Sequence, residues 1–182
     1  MDSAAFNPHP DRLPPEGCIS IVGMAAAGKT TIGRELAAIT GWPQIDTDNV
    51  IEAAYGARLQ RITDQLDKEA FLDLEGEMIC RINVKRCIIS TGGSAVYRQH
   101  AVRHLRSLGP VIYIHVPLPI ILERFARKPE RGMAMNPGQT IEDLYEERAR
   151  LYEAAADFTM HGGHAPASEY AGGIAAWLAG TI

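Results

Sequence analysis

Apolar and polar positions alternate in blocks along this chain. Short apolar, β-prone runs occupy residues 18–22, 42–45, 87–90, 111–116 and 158–160. Between them lie stretches of helical periodicity, at 29–40, 49–55, 99–108, 119–128, 141–152 and 168–178. Phe71, Leu74, Met78, Ile79 and Ile82 recur at helical spacing as well, with Thr63 and Asp64 placed to cap that region. Gly41 and Gly56 are set to stop the first two helices. Run 111–116 is continuously apolar, as a strand covered on both faces must be. The alternation predicts an α/β chain with three layers, helices on both sides of a five-stranded parallel sheet.

The first strand runs into Gly23-Met24-Ala25-Ala26-Ala27-Gly28-Lys29-Thr30, followed by Thr31 and a helix. This fits G-x-x-x-x-G-K-[ST] at every fixed position, in the strand–loop–helix setting that the motif requires. Glycines let the backbone curl so that N–H groups face phosphate oxygens, and the helix aims its positive end at the same anion. Lys29 can reach the outer phosphates and the Thr30 hydroxyl can ligate Mg²⁺. The loop interior is unusual, since no further glycine stands between Gly23 and Gly28.

Composition narrows the reading. The chain has 182 residues, enough for one domain with a sizeable core, and no repeat or linker divides it. We assign residues 17–182 to one phosphate-loop domain and 1–16, with Pro8, Pro10, Pro14 and Pro15, to a flexible arm that lacks the apolar core of a signal peptide. A net charge of −4 argues against a general nucleic-acid binder. No apolar run is long enough to span a membrane. Cys18, Cys80 and Cys87 form no metal or disulfide pattern, so a cytoplasmic protein with free thiols is expected.

A phosphate loop alone does not choose among GTPases, motor ATPases and metabolite kinases. No apolar strand ends in the Asp that large ATPases use, and no Asn-Lys-x-Asp guanine signature occurs. Instead Asp46 and Asp48 follow the second strand, at the sheet edge where ligands gather. In an extended segment the two side chains would share a face, one for the metal and one for an acceptor hydroxyl. The plain alternative is a helix cap. Thr91-Gly92-Gly93-Ser94 follows the third strand and permits close approach of backbone to a ligand. Residues 129–138, with two prolines, two glycines and Arg131, read as a mobile loop.

Taken in order, Gly23 to Thr31, Asp46-Thr47-Asp48 with Ile51-Glu52, Gly92-Gly93, Arg131, and Arg148 before Leu151-Tyr152 resemble the shikimate kinase family over about residues 18–160. The resemblance implies a phosphate-loop kinase fold with a lid at about 129–138, and ATP-dependent phosphoryl transfer to a hydroxyl of a small polar metabolite. It implies a nucleotide site of Gly23, Ala25, Ala26, Ala27, Gly28, Lys29, Thr30 and Thr31, with Arg124 against adenine. Mg²⁺ would be held near Thr30 and Asp46. Lys29, Asp48 and the lid Arg131 would be catalytic, with Asp48 as base. Asp48, Gly92, Gly93, Ser94 and Arg148 would bind the acceptor, Arg148 through its carboxylate. The reading of an arginine as a mere solvated charge is weakest for Arg148 and strongest for Arg124.

The chain also departs from the family. Where the family carries Phe-Arg-x-x-Glu, this sequence has Phe71-Leu72-Asp73-Leu74-Glu75; Ser94 replaces a third glycine and Gly132 follows Arg131. Leucine cannot make the bidentate contact of a guanidinium with a carboxylate. The acceptor therefore stays open between shikimate and another hydroxylated compound such as homoserine. The other readings are a nucleotide-binding regulatory module without transfer activity and a nucleoside monophosphate kinase. A monomer is expected, acting on a small-molecule acceptor, with no nucleic-acid or membrane partner.

Overall fold

A computed structural model describes residues 6–9, 11–14, 16–127, 134–136 and 138–180. Chain order runs β1 (Ile19–Val22), α1 (Lys29–Thr40), β2 (Gln44–Asp46), α2 (Thr47–Tyr55), α3 (Leu59–Gln65), α4 (Lys68–Cys80), β3 (Ile88–Ser90), α5 (Gln99–Leu108), β4 (Val111–His115), α6 (Leu118–Arg127), α7 (Ile141–Ala155), β5 (Phe158–His161) and α8 (Ala167–Leu178). The five strands form one parallel sheet in the order β2-β3-β1-β4-β5. Helices α1 and α8 pack together as one outer layer, and α4, α5 and α7 build the other. The expected three-layer α/β/α arrangement with five parallel strands is the one observed.

β1 lies at the centre, every residue buried between β3 and β4. Its carboxyl end therefore opens into the middle of the sheet's ligand-binding edge, and the loop at 23–28 closes over that point. α1 and α2 end at Gly41 and Gly56, both in the left-handed conformation that lets the chain leave a helix. A second, smaller apolar cluster of Ile51, Ile62, Phe71, Leu72 and Ala134 joins α2, α3 and α4 beside the main core. Among the described residues no helix is long and apolar enough to cross a membrane. Cys18 and Cys87 are buried free thiols, and Cys80 is an exposed one.

Three expectations need correction. Thr63 and Asp64 do not cap a helix; they lie inside the short α3, whose Ile62 reaches the second cluster. Asp67 caps α4 instead, its carboxylate accepting from the Ala70 amide at 2.8 Å. The buried face of α4 is Phe71, Leu72, Glu75, Gly76 and Ile79, while Leu74 and Met78 are only half-buried, because α4 faces both the sheet layer and the second cluster. Finally, the described residues among the first sixteen are not loose. Leu13 is 1% exposed, the His9 amide donates to the Leu178 carbonyl at 2.7 Å, and the Arg12 guanidinium lies 5.2 Å from the Trp177 ring centre.

The phosphate loop shows what its alanines cost. The Ala27 amide turns back onto the Met24 carbonyl at 3.1 Å, and Ala26 takes φ +64° to make the turn. That is left-handed backbone, which costs an L-residue with a Cβ roughly 1 kcal/mol. Ala26→Gly is expected to raise the unfolding free energy by about 0.5–1 kcal/mol, read as a higher urea midpoint at unchanged slope. An unchanged or lower midpoint would show that no strain resides there.

Candidate active site

The described site candidates converge. All of them line one cavity of about 1050 Å³ except Gly23 and Ala27, which stand just behind its wall. Gly23 presents its carbonyl to Lys29, and Ala27, 2% exposed, presents its carbonyl to Arg124. Arg131 and most of the expected lid at 129–138 lie outside the described residues. Ala134, from the far end of that stretch, lines the cavity.

At the nucleotide end, Lys29 opens α1 and is 8% exposed; its ammonium donates to the Gly23 and Met24 carbonyls at 2.8 and 3.0 Å. The Thr30 hydroxyl donates to Asp46 Oδ2 at 2.7 Å. Asp46 Oδ1 accepts from the Asp48 amide at 3.0 Å and so caps α2. The acidic pair is thus not in an extended segment. Asp46 ends β2 as the N-cap, and Asp48 sits in the first turn of α2, since the chain turns helical at Thr47. Asp46 thus uses one oxygen for the cap and the other for the Thr30 hydroxyl.

Arg124 is not a solvated charge. From α6 its Nη1 donates to the Ala26 and Ala27 carbonyls at 3.1 and 3.2 Å, and its Nη2 to Gly163 at 2.6 Å. It ties the loop after β5 to the phosphate loop.

At the other end, the Gly92-Gly93 turn is held from three sides. The Gly92 amide donates to the Thr47 hydroxyl at 2.9 Å, the Tyr152 hydroxyl donates to Gly93 O at 2.5 Å, and the Thr91 hydroxyl donates to Ile21 O at 3.0 Å. A Cβ at Gly92 would stand 2.1 Å from Glu75 Oε1 and 2.6 Å from Asp48 Oδ1, and one at Gly93 would stand 2.9 Å from Arg148 Nη1. The turn is therefore bare because two carboxylates and a guanidinium press against it. Arg148 is 1% exposed, with Nε on the Tyr97 hydroxyl at 3.3 Å and Nη2 on Ala134 O at 3.0 Å. Ser94 lines the same wall, 6% exposed.

Glu75 gained no role in the sequence reading. It is 1% exposed, lines the cavity, and neither carboxylate oxygen has a hydrogen-bond partner among the described residues. Burial, and then the neighbouring Asp48 carboxylate, push its pKa up to about 7 against the pull of Ser94, Arg148 and Lys29. One signal was legible. Glu75 stands four residues after Phe71 and four before Ile79, a charged residue on an apolar helix face.

The raised pKa has a consequence for stability. Below about pH 4.5 the group is neutral whether the chain is folded or not. As pH rises to about 7 the unfolded chain loses that proton and the folded chain keeps it, so stability falls. The full penalty above that range is roughly 3 kcal/mol. Glu75→Gln removes the titration, so its stability relative to wild type is expected to improve by about that amount between about pH 4 and about pH 8. Denaturant unfolding at both pH values measures it; equal differences would show that Glu75 does not titrate abnormally.

Comparison with known proteins identifies the family. The shikimate kinase family model matches residues 25–179. A shikimate kinase of Histophilus somni is 38% identical over 146 residues, covering 78% of this chain and 83% of that protein. The shikimate kinase of Acinetobacter baumannii, solved in complex with shikimate, superposes with a TM-score of 0.80 at 29% identity, covering 90% of this chain and 93% of that one. The shikimate kinase of Aquifex aeolicus superposes with a TM-score of 0.72 at 26% identity, over 90% and 96%. These relatives are kinases, and none of them favours a regulatory module or a nucleotide acceptor. By family model, by sequence and by superposition alike, this chain belongs to the shikimate kinase family.

Proposed function

We propose that the cavity moves the terminal phosphoryl group of ATP to a hydroxyl of a small polar metabolite bound between Asp48, the Gly92-Gly93 turn and Arg148. One observation carries the reading: Lys29, Thr30, Asp46 and Asp48, from three different elements, meet in one cavity at the carboxyl edge of the sheet.

The main-chain amides around Ala25 to Gly28 and the N-terminus of α1 take the phosphates. Lys29 sits within the same loop and supplies a buried positive charge to the oxygens that gain charge during transfer. Thr30 and Asp46 fit Mg²⁺: a hydroxyl and a carboxylate oxygen already lie 2.7 Å apart on the cavity wall. Among the described residues no cluster of three or more His, Cys, Asp or Glu could hold a metal, which suits an ion that takes few protein ligands and keeps phosphate and water oxygens. When bound, the ion offsets phosphate charge and orients the triphosphate.

Asp48 holds the acceptor hydroxyl in line and takes its proton as the new bond forms. Arg148 anchors an acceptor carboxylate at the opposite end; its fixed planar fork suits that task. Arg131, which lies outside the described residues, contributes its charge to the phosphates in this proposal. Arg124 holds the phosphate loop and flanks the base of the nucleotide.

Lys29→Met is expected to lower kcat by about a hundredfold or more, with an unchanged circular-dichroism spectrum. Acceptor-stimulated ADP release measures it. Turnover within about twofold of wild type would remove Lys29 from the machinery and the reading with it.

A further inference from the structure

The acceptor end of the cavity carries more negative than positive charge. Asp48 and Glu75 both press on the Gly92 turn, and Arg148 is the guanidinium beside them. The other cavity arginines are directed elsewhere: Arg124 to loop carbonyls, Arg58 to Glu52 and Arg127 to Glu123. Leu72, next to the cavity on α4, is 2% exposed and lies in the apolar cluster with Ile51, Ile62 and Phe71, so it adds no charge.

Glu75 is the anomaly within that set. A carboxylate that is 99% covered and has no hydrogen-bond partner among the described residues is costly to keep. It is nevertheless aimed into a cavity, beside the turn that contacts the acceptor. A hydroxy acid bound there would bring a third negative charge to a site whose cations are Arg148 and, from the nucleotide end, Lys29, and would leave Glu75 without a donor. A zwitterion reverses the balance, because its ammonium group offers three donors to an oxygen pair that has none.

Resting on the kinase reading above, we infer that the acceptor is a hydroxylated α-amino acid, its carboxylate on Arg148, its ammonium on Glu75 and its hydroxyl on Asp48. The reaction is the same transfer: the acceptor oxygen forms a bond to the terminal phosphorus of ATP, the bond to the bridging oxygen breaks, ADP leaves, and the hydroxyl proton passes to Asp48. Glu75 takes no part in bond making. It selects the substrate.

The test is steady-state ADP release by the full-length protein with L-homoserine, L-serine and L-threonine, against 4-hydroxybutyrate and shikimate, which have no ammonium group. At least one amino acid is expected to exceed both ammonium-free compounds in kcat/KM by about a hundredfold or more, as a site rejects an analogue that leaves its buried polar group unpaired. Glu75→Gln is expected to raise KM for that amino acid by about tenfold or more, change kcat much less, and narrow the preference. Turnover of shikimate or 4-hydroxybutyrate equal to or above every amino acid would overturn the inference and leave the kinase reading standing. A Glu75→Gln variant with unaltered KM and preference would overturn it too. No stimulation by any of the five compounds, with Mg-ATP still bound in calorimetry, would sink both readings.

Discussion

The hydrogen bond from the Thr30 hydroxyl to Asp46 is the contact on which the cavity's geometry depends. Thr30 belongs to the first turn of α1, and Asp46 is both the end of β2 and the N-cap of α2. That single bond sets the phosphate-binding helix against the helix that carries Asp48. The sheet makes it possible. With the strand order β2-β3-β1-β4-β5, β3 separates β1 from β2, and the loops leaving all three strands rise on the same edge. Gln44 reinforces the join beneath, its amide donating to Thr30 O at 2.9 Å and to the Ser90 hydroxyl at 2.8 Å.

The acceptor end follows a different logic. It is built from buried charge rather than from exposed backbone. Arg148 and Glu75 are both about 99% covered, yet they make no hydrogen bond with each other. Arg148 is held by Tyr97 and Ala134, so its orientation is set before any ligand arrives. Glu75 is left without such support. A fold selected for stability alone would place an apolar residue there, as α4 does at Phe71, Leu72 and Ile79. Stability yields to function at one position of an otherwise apolar face.

Arg124 joins the two ends through the backbone. By bonding carbonyls of the phosphate loop and of the loop after β5, it couples the nucleotide site to the last strand and to α8. The Ala26 backbone strain lies under the same bracket. A loop without an inner glycine is thus held in shape by a side chain from a distant helix, where a glycine would have needed less help.

The elements most legible in the amino-acid order were those with strong local punctuation. The pattern predicts helices over 29–40 and 99–108, with the ends that α1 and α5 adopt, and Gly41 stops the first of them. The phosphate loop was legible because its chemistry is carried by neighbours in sequence: glycines, lysine, hydroxyl and helix start within eight residues. Local order also brought Asp46 and Asp48 forward, but not their geometry, since either an extended or a helical turn satisfied the same three letters. Contacts between distant residues decided the rest. Arg124 stands 98 residues from Ala26, and Gly93 meets Arg148 across 55 positions. No period or motif encodes which carbonyl a guanidinium will find. Glu75 shows the limit most clearly: the sequence by itself determined that a charge sits on an apolar helix face, and only the tertiary structure decided that this charge is buried, unpartnered and turned into the cavity, because burial is a property of what packs around a residue and not of the residue itself.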